Sequence, residues 1–317
     1  MSKLNVAVIG VGRLGREHTR IYANLPQVNL VGICDTQPTT KKIALRYHIP
    51  FYKDCSSLLS ASKIDALSIA VPTYLHYSIA KEVLKRGINI LLEKPITPAL
   101  KEANELLNLA HQRNLILQVG HIERFNPVIK KVKSMISKPL FIECQRLGPY
   151  ASRIDDVGVT LDLMIHDLDI ILHLINSEIE AVEATGAKIL SDYEDIVFAY
   201  LKFKNGTLAN LSASRVSRKK VRKIRIFQPD VYLSLDYLNS TVKRVQRIKG
   251  KIIRDKIKLK NKQEQLKSEI VSFVNNVRNR HIFQDYEAAE ALKLALMITK
   301  KINDTQICEA RSASQIC

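Results

Sequence analysis

Near its amino terminus the chain reads Val6-Ala7-Val8-Ile9-Gly10-Val11-Gly12-Arg13-Leu14-Gly15. A short apolar strand runs directly into a Gly-x-Gly-x-x-Gly turn, and the residues that follow have the pattern of a helix. Gly10 permits the tight turn, Gly12 lets the backbone approach a pyrophosphate, and Gly15 lets the helix pack closely on the strand. Because the helix N-terminus then faces an anion, this order of strand, turn and helix predicts a dinucleotide site.

An acidic residue follows the next predicted strand, Val28–Cys34. Asp35 lies 20 residues after Gly15, where a carboxylate can accept hydrogen bonds from both ribose hydroxyls and repels a 2′-phosphate. The phosphates themselves are expected to meet the backbone N–H groups that open the helix, at Arg13 and Leu14. We therefore predict that the cofactor is NAD, although two lysines a few residues downstream leave NADP open.

Length and composition restrict the class of protein. The chain has 317 residues, of which 46% are hydrophobic, so two domains with substantial cores are expected. No apolar run approaches the roughly 20 residues of a membrane helix, and the amino terminus lacks a signal-peptide pattern. The 5 cysteines are scattered without a Cys-x-x-Cys pair, which argues against a disulfide framework and a zinc site. These features predict a reduced, cytoplasmic protein with neither a metal nor a membrane partner.

The formal net charge of +18 is high, and much of it lies late in the chain. Two stretches, residues 215–225 and 243–262, are rich in lysine and arginine. Such surfaces attract polyanions or an anionic substrate, but they are also typical of solvated sheet faces. The chain shows no helix-turn-helix pattern, and its basic stretches lack interleaved aromatic residues apart from Phe227, so a nucleic-acid partner is not expected.

Short apolar segments alternate with helical patterns through the first 120 residues. This alternation is typical of a parallel sheet that is covered on both faces. The predicted strands are Asn5–Gly10, Val28–Cys34, Ala66–Val71, Asn89–Leu92 and Leu115–Val119. The sequence therefore predicts a doubly wound Rossmann domain of the α/β class over residues 1–121.

The pattern changes after Gly120, where strands become more frequent and Asn205-Gly206 marks a hairpin. The predicted elements are the helix Leu161–Ile175, the strands Glu180–Leu190, Ile196–Phe203, Leu208–Ser214, Lys223–Gln228, Val231–Asp236 and Lys256–Lys260, and the helices Gln263–Asn279 and Tyr286–Asn303. We expect residues 122–317 to form an α+β domain with an open, mostly antiparallel sheet that serves substrate binding and oligomerisation.

The predicted helix Leu161–Ile175 is apolar almost all round, which indicates burial. Four of the polar residues in it fall, at about 100° per residue, within roughly 60° of one another. They are Asp162, His166, Asp169 and His173. Because an unpaired buried polar group costs roughly 1–3 kcal/mol, this stripe must face partners, water or a ligand. We interpret His173 as part of a satisfied core network and Asp162 with His166 as functional.

A lysine follows the predicted strand Asn89–Leu92, in Glu93-Lys94-Pro95. Ligands of open α/β sheets bind beyond the carboxyl ends of the strands, so Lys94 should border the cofactor crevice. Pro95 restricts the conformation of Lys94 and helps to fix its direction. On the dipeptide alone, a lysine in a surface turn is the alternative.

Together these motifs resemble the glucose–fructose oxidoreductase/inositol dehydrogenase (Gfo/Idh/MocA) family over nearly the whole chain. The motifs are Gly10–Gly15, Val71-Pro72-Thr73 with His76, Glu93-Lys94-Pro95, and Asp162-x-x-x-His166. The resemblance implies a Rossmann domain and an open-sheet domain that covers the nicotinamide and forms homodimers or homotetramers. It also implies that Lys94, Asp162 and His166 are catalytic and that the cofactor contacts include Thr73, His76 and Glu93. One departure is that Asp156-Val157-Gly158-Val159 replaces the family's common Gly-Gly.

Two stretches resemble the UDP-N-acetylglucosamine 3-dehydrogenase branch of this family. They are residues 120–127, Gly-His-Ile-Glu-Arg-Phe-Asn-Pro, and residues 157–167, Val-Gly-Val-Thr-Leu-Asp-Leu-Met-Ile-His-Asp. This resemblance implies oxidation of a sugar 3-hydroxyl to a ketone, before amino transfer in lipopolysaccharide biosynthesis. An anionic nucleotide sugar needs cations around its diphosphate. The candidate substrate residues, besides Asp162 and His166, are Arg124, Arg146, Arg153 and Tyr150.

The predicted reaction removes a hydroxyl proton and transfers a hydride to the nicotinamide. A base within about 3 Å of the hydroxyl is required, and either Lys94 or His166 fits this role. Asp162 stabilises a charged imidazole or binds a neighbouring hydroxyl. Three alternatives remain: a dehydrogenase of a cyclitol or simple sugar, a non-catalytic regulator that senses dinucleotide, and a metal-dependent hydrolase with mixed Asp and His ligands.

Overall fold

Parallel strand pairing builds the first of two units into which the chain divides. In a computed structural model, which describes residues 3–150, 157–259 and 264–314, this unit comprises residues 1–122 and 263–289. Its strands are β1 (Leu4–Ile9), β2 (Val28–Cys34), β3 (Phe51–Tyr52), β4 (Ala66–Ile69), β5 (Asn89–Leu92) and β6 (Leu117–Val119). They form one sheet in the order β3-β2-β1-β4-β5-β6, and every neighbouring pair is parallel.

The helices of the first unit alternate with these strands along the chain. They are α1 (Arg13–Ala23), α2 (Lys41–Tyr47), α3 (Cys55–Ala61), α4 (His76–Lys85) and α5 (Leu100–Gln112). The strand order reverses between β1 and β4, which is the switch point where open α/β sheets bind ligands. The predicted Rossmann fold is confirmed, and the apolar strands β4 and β5 are buried almost throughout, as a sheet with both faces covered requires.

The second unit comprises residues 123–262 and 290–317 and contains a larger sheet. Its strands are β7 (Phe141–Leu147), β8 (Ile179–Ala187), β9 (Ile196–Phe203), β10 (Leu208–Ser214), β11 (Val221–Gln228), β12 (Val231–Asp236), β13 (Thr241–Ile248) and β14 (Lys251–Lys258). The order is β14-β13-β12-β11-β7-β10-β9-β8, with β7 and β10 parallel and all other pairs antiparallel. The predicted open, mostly antiparallel sheet is confirmed.

The sequence analysis does not predict two strands of this sheet, β7 and β13. β7 alternates in burial along its length, yet its buried positions include Arg146 beside Ile142 and Cys144. An arginine at an inward position hides the apolar alternation on which strand prediction depends. β13 is rich in charged residues and carries little apolar pattern at all.

The described residues contain four further α-helices: α6 (Pro127–Lys133), α7 (Ile165–Leu174), α8 (Gln265–Arg278) and α9 (Tyr286–Ser314). Among them α8 packs into the first unit, where Ile270 and Phe273 share a core with Val6 and Tyr22. The predicted domain limits, 1–121 and 122–317, place α8 in the second domain instead. An amphipathic pattern does not reveal which core a helix joins. Within the described residues no helix is long and apolar enough to span a bilayer.

Candidate active site

At two positions of the turn after β1, packing within the protein leaves no room for a side chain. Gly10 has a φ of +81°, and a Cβ on it would lie 2.5 Å from the carbonyl oxygen of Ala70. A Cβ on Gly15 would lie 1.8 Å from the carbonyl oxygen of Gly10. These two positions therefore allow the close approach of α1 to the end of the sheet.

Gly12 has no such explanation within the protein. Its φ is −67°, and no heavy atom of the described residues would lie within 4 Å of an added Cβ. It immediately precedes α1, whose first turn contains Arg13 and Leu14 but no acidic residue, and no side chain in the described part of the chain caps that end. Open space beside uncapped N–H groups fits the pyrophosphate of a dinucleotide, so the residues present suit the predicted cofactor.

Asp35 lies at the carboxyl end of β2, beside the same turn. One of its carboxylate oxygens accepts a hydrogen bond from the N–H of Val11 at 2.6 Å, and the other accepts from the N–H of Gln37 at 2.8 Å. These bonds orient the carboxylate at the edge of the glycine turn. Its role as the acceptor for ribose hydroxyls stays a prediction.

His76 connects the loops that follow β4 and β5. Its Nδ1 lies 2.8 Å from the carbonyl oxygen of Pro95, and its Nε2 lies 3.0 Å from that of Val71. Burial lowers the pKa of His76, although both carbonyls favour its protonated form. Both ring nitrogens thus face backbone oxygens of the unit, so the structure gives His76 a loop-shaping role, while a direct cofactor contact, like that of the half-buried Thr73, stays a prediction.

Glu93 belongs to a network of polar side chains inside the first unit. Its carboxylate lies 3.0 Å from Nε2 of His18, whose Nδ1 lies 3.0 Å from Oγ of Ser68. The hydroxyl of Tyr22 lies 2.8 Å from the same Ser68 oxygen. Glu93 is only 7% exposed, so its carboxylate is turned toward His18, and the predicted cofactor contact of Glu93 stays a prediction.

Lys94 directly follows Glu93 at the end of β5 and is half-buried. Burial opposes ionisation of Glu93, but the hydrogen bond from His18 and the charges of His18, Lys94 and His76 hold the pKa of Glu93 below its ordinary value. The charge of Lys94 is therefore one of the causes that favour the ionised form of Glu93. The predicted position of Lys94, at the carboxyl edge of the sheet, agrees with the structure.

In the second unit, the segment with Asp162 and His166 does not begin as an α-helix. Thr160–Met164 forms a π-helical turn, and α7 continues from it. π turns occur often at functional sites, because they re-aim side chains out of the regular helical register. Asp162 and His166 are both half-buried, on either side of the junction between the two segments.

The lower half of the predicted polar stripe has structural partners. Asp169, which is 1% exposed, accepts a hydrogen bond at 2.9 Å from Nε of Arg124 and a second bond from the same guanidinium. His173 Nε2 lies 2.9 Å from Nζ of Lys133. His173 is half-buried and this contact is with an exposed lysine, so the contact supports a structural role for His173 but not its predicted place in a core network. The charge of Arg124 is already balanced by Asp169, and its predicted contact with substrate stays a prediction.

Arg146 lies in the interior rather than at a substrate surface, which corrects its assignment as a diphosphate ligand. It is 3% exposed and donates to Asp167 at 2.8 and 3.0 Å and to the hydroxyl of Tyr237 at 2.9 Å. Burial opposes its charge, but Asp167, Tyr237 and Glu123 hold the pKa of Arg146 well above its ordinary value. The guanidinium is thus committed to a buried network.

The remaining predicted substrate residues differ in their placement. Tyr150 lies with its ring 5.6 Å from the guanidinium carbon of Arg215, a cation–π contact. Arg153 lies outside the described residues. The sequence analysis missed Glu194 and Asp195, two buried acids that lie close to the start of the π turn. In the sequence they are only two adjacent acidic residues before an apolar strand, and this pattern does not indicate a functional site.

No group of three His, Cys, Asp or Glu side chains that could hold a metal ion occurs among the described residues. The mixed Asp and His stripe is instead bonded to arginine and lysine in its lower half. This arrangement gives no support to the metal-dependent hydrolase.

Comparison with known families agrees with this geometry. Residues 4–121 match the oxidoreductase family with an NAD-binding Rossmann fold, GFO/IDH/MocA, and residues 133–228 match the C-terminal domain of the same family. The chain belongs to this family. The predicted resemblance, the NAD-binding domain and the oxidoreductase class are thereby confirmed.

Individual relatives support the same assignment. The UDP-N-acetylglucosamine 3-dehydrogenase of Acidithiobacillus ferrooxidans is 35% identical over 94% of this chain and 96% of its own. A solved structure of that enzyme superposes with a TM-score of 0.88 at 34% identity, covering 95% of this chain and 98% of the other. The scyllo-inositol 2-dehydrogenase (NAD(+)) of Bacillus subtilis is 28% identical over 68% of each chain.

Proposed function

We propose that this protein is an NAD-dependent dehydrogenase that oxidises the 3-hydroxyl of a UDP-N-acetylhexosamine to a ketone. The observation that carries the proposal is the likeness to the Acidithiobacillus enzyme, which extends over 94% of the chain and across both units. The stretches at residues 120–127 and 157–167 add to it, since they resemble the branch that carries out this reaction.

The chemistry requires a proton acceptor and a hydride acceptor. NAD, held by the glycine turn and Asp35, would supply the hydride acceptor. Lys94 or His166 takes the hydroxyl proton, and the other of the two donates a hydrogen bond to the same oxygen. Asp162, four residues before His166, stabilises the imidazolium or accepts from a neighbouring sugar hydroxyl.

The uridine diphosphate of the substrate needs cations that are not committed elsewhere. Arg124 and Arg146 are paired with buried aspartates, so we assign the attraction of the diphosphate to the exposed basic residues between β10 and β11. They are Arg218, Lys219 and Lys220. Exposed charges raise the local concentration of an anionic substrate and lose this effect at high salt.

We also propose that the protein is a homodimer or homotetramer in the cytoplasm and serves lipopolysaccharide biosynthesis. The larger sheet leaves aromatic side chains in solvent, with Phe198 48%, Tyr200 42% and Phe227 37% exposed. Exposed aromatic residues on a sheet are typical of a surface that a second subunit covers. Analytical ultracentrifugation tests this part of the proposal, and a monomer at micromolar concentration would contradict it.

The enzymatic test is a screen of UDP-sugars and cyclitols with NAD, in which reduction of the cofactor is followed by absorbance. Reduction that depends on UDP-N-acetylglucosamine supports the proposal. Turnover of cyclitols alone would favour the alternative that the Bacillus relative suggests, a polyol dehydrogenase. Binding of NAD without turnover of any polyol would instead favour the dinucleotide-sensing regulator.

A further inference from the structure

Three backbone groups shortly before Asp162 are held by residues that the proposed reaction does not use. The carbonyl oxygen of Val157 accepts a hydrogen bond from Nη1 of Arg215 at 2.9 Å. The N–H of Val159 donates to the backbone oxygen of Glu194 at 2.9 Å, and the N–H of Thr160 donates to the Glu194 carboxylate at 3.3 Å. The path of the chain into the π turn is therefore fixed from outside the helix.

Gly158 and Glu194 fit each other sterically. A Cβ on Gly158 would lie 2.2 Å from the carboxyl carbon and from both carboxylate oxygens of Glu194. The carboxylate thus occupies the space that a side chain at position 158 would take, and both residues are buried. The backbone oxygen of Gly158 in turn accepts from the N–H of Asp162 at 3.0 Å, so the contact reaches the proposed catalytic residue through one hydrogen bond.

Glu194 is itself held in place by its neighbour. Asp195 is fully buried and accepts from the N–H groups of residues 189–191 at 2.6 to 3.0 Å. Its other oxygen accepts from Nε of Arg215 at 2.6 Å. Antiparallel register explains this pair, because Ile196 of β9 lies opposite Ser214 of β10 and the next residues out are Asp195 and Arg215. The backbone of Glu194 is therefore attached to a residue that these hydrogen bonds fix at the start of β9.

We propose that Glu194 is a positioning residue that sets the orientation of Asp162 and His166. A carboxylate at the start of a helical segment accepts from an unsatisfied N–H group and stabilises the positive end of the segment dipole. π turns are rare and occur mostly as single turns within α-helices, often at functional sites. The inference rests on the proposed function, because it assigns Glu194 to the orientation of that reaction's catalytic pair.

The test compares two conservative substitutions in the full-length protein. Glu194→Gln keeps the length of the side chain and an oxygen that can accept from the N–H of Thr160. Glu194→Asp keeps the charge, but its side chain is one methylene shorter, so the carboxylate lies further from that N–H. We expect Glu194→Asp to lower kcat for the sugar about tenfold or more with the KM for NAD unchanged, since small misplacements of catalytic groups are costly. Glu194→Gln should stay within about threefold of wild type. Glu143→Asp, at a half-buried carboxylate that pairs with Arg225, is the matched control.

A second readout does not depend on turnover. Hydrogen–deuterium exchange of the peptide that covers residues 157–166 should be faster in Glu194→Asp than in wild type and in Glu194→Gln. Wild-type kcat and exchange in Glu194→Asp, or equal losses in both Glu194 variants, would overturn the inference. If the wild-type protein oxidises no sugar, the proposed function fails, and the exchange rates then decide alone whether Glu194 holds this segment.

Discussion

Lys94 stands at the end of a parallel strand, whereas Asp162 and His166 stand on a helical segment that begins with a π turn. The direction of Lys94 follows from β5 and from the adjoining Glu93, whose carboxylate is bonded to His18 of the nearby α1. The support for Asp162 comes from acids and an arginine located 30 residues or more further along the chain. One half of the proposed machinery is thus fixed by the sheet and the other by a loop.

This difference decides how the two halves should respond to substitution. The sheet is continuous and buried, so a change at the tip of β5 should alter chemistry while the fold persists. Asp195 in the second unit forms a buried ion pair with Arg215, so breaking that pair should lower the free energy of unfolding, whereas Glu194 should affect turnover through the orientation of Asp162. Four predictions test this contrast.

The largest expected effect is that of Lys94→Met on turnover. Removing a general base or its hydrogen-bonding partner costs about 10²- to 10⁴-fold in rate, so kcat should fall by that factor while NAD still binds. Steady-state kinetics and a fluorescence titration with NADH measure the two quantities separately. Lys101→Met, at an exposed position on α5, is the control. Retained turnover in Lys94→Met would remove Lys94 from the mechanism.

Asp195→Asn should have the largest effect on stability in the second unit. The substitution leaves the buried guanidinium of Arg215 without its charged partner, which costs about 3 kcal/mol or more in the free energy of unfolding. Urea denaturation followed by circular dichroism measures the loss. Asp192→Asn, at an exposed residue of the same loop, should change the free energy of unfolding by less than about 0.5 kcal/mol. Equal effects of the two substitutions would contradict the assigned role of the pair.

The same contrast explains how much the sequence could reveal. The glycine turn, Asp35 and Lys94 are predictable because motif, strand end and cofactor chemistry lie within a few residues of one another. Asp162 and His166 are also visible, since polar residues interrupt an apolar run. The π turn, Glu194 and Arg215 are not predictable, because their roles arise from tertiary contacts between distant segments. Arg146 misled the sequence analysis for the same reason, since its buried partners Asp167 and Tyr237 lie elsewhere in the chain.

Two glycines of one turn offer a paired test in the first unit. Gly10→Ala places a side chain at a φ of +81° and 2.5 Å from the oxygen of Ala70, so it should destabilise the fold by roughly 1–3 kcal/mol. Gly12→Ala meets no described atom within 4 Å and should leave the thermal midpoint nearly unchanged. It should instead weaken NAD binding about tenfold or more, because the Cβ takes the space assigned to the pyrophosphate. Calorimetry and NAD titration of both variants measure this; normal NAD affinity in Gly12→Ala would refute the cofactor position.

The carboxylate beside Lys94 should make a smaller contribution that depends on pH. Although burial opposes its ionisation, the pKa of Glu93 is lowered by His18, Lys94 and His76. Its contribution to stability is therefore present above the unfolded pKa of about 4.3 and is lost as the pH falls through the folded value. Glu93→Gln lacks this contribution, so its urea midpoint should fall less than that of wild type between about pH 6 and about pH 3. Glu102→Gln on α5 is the control.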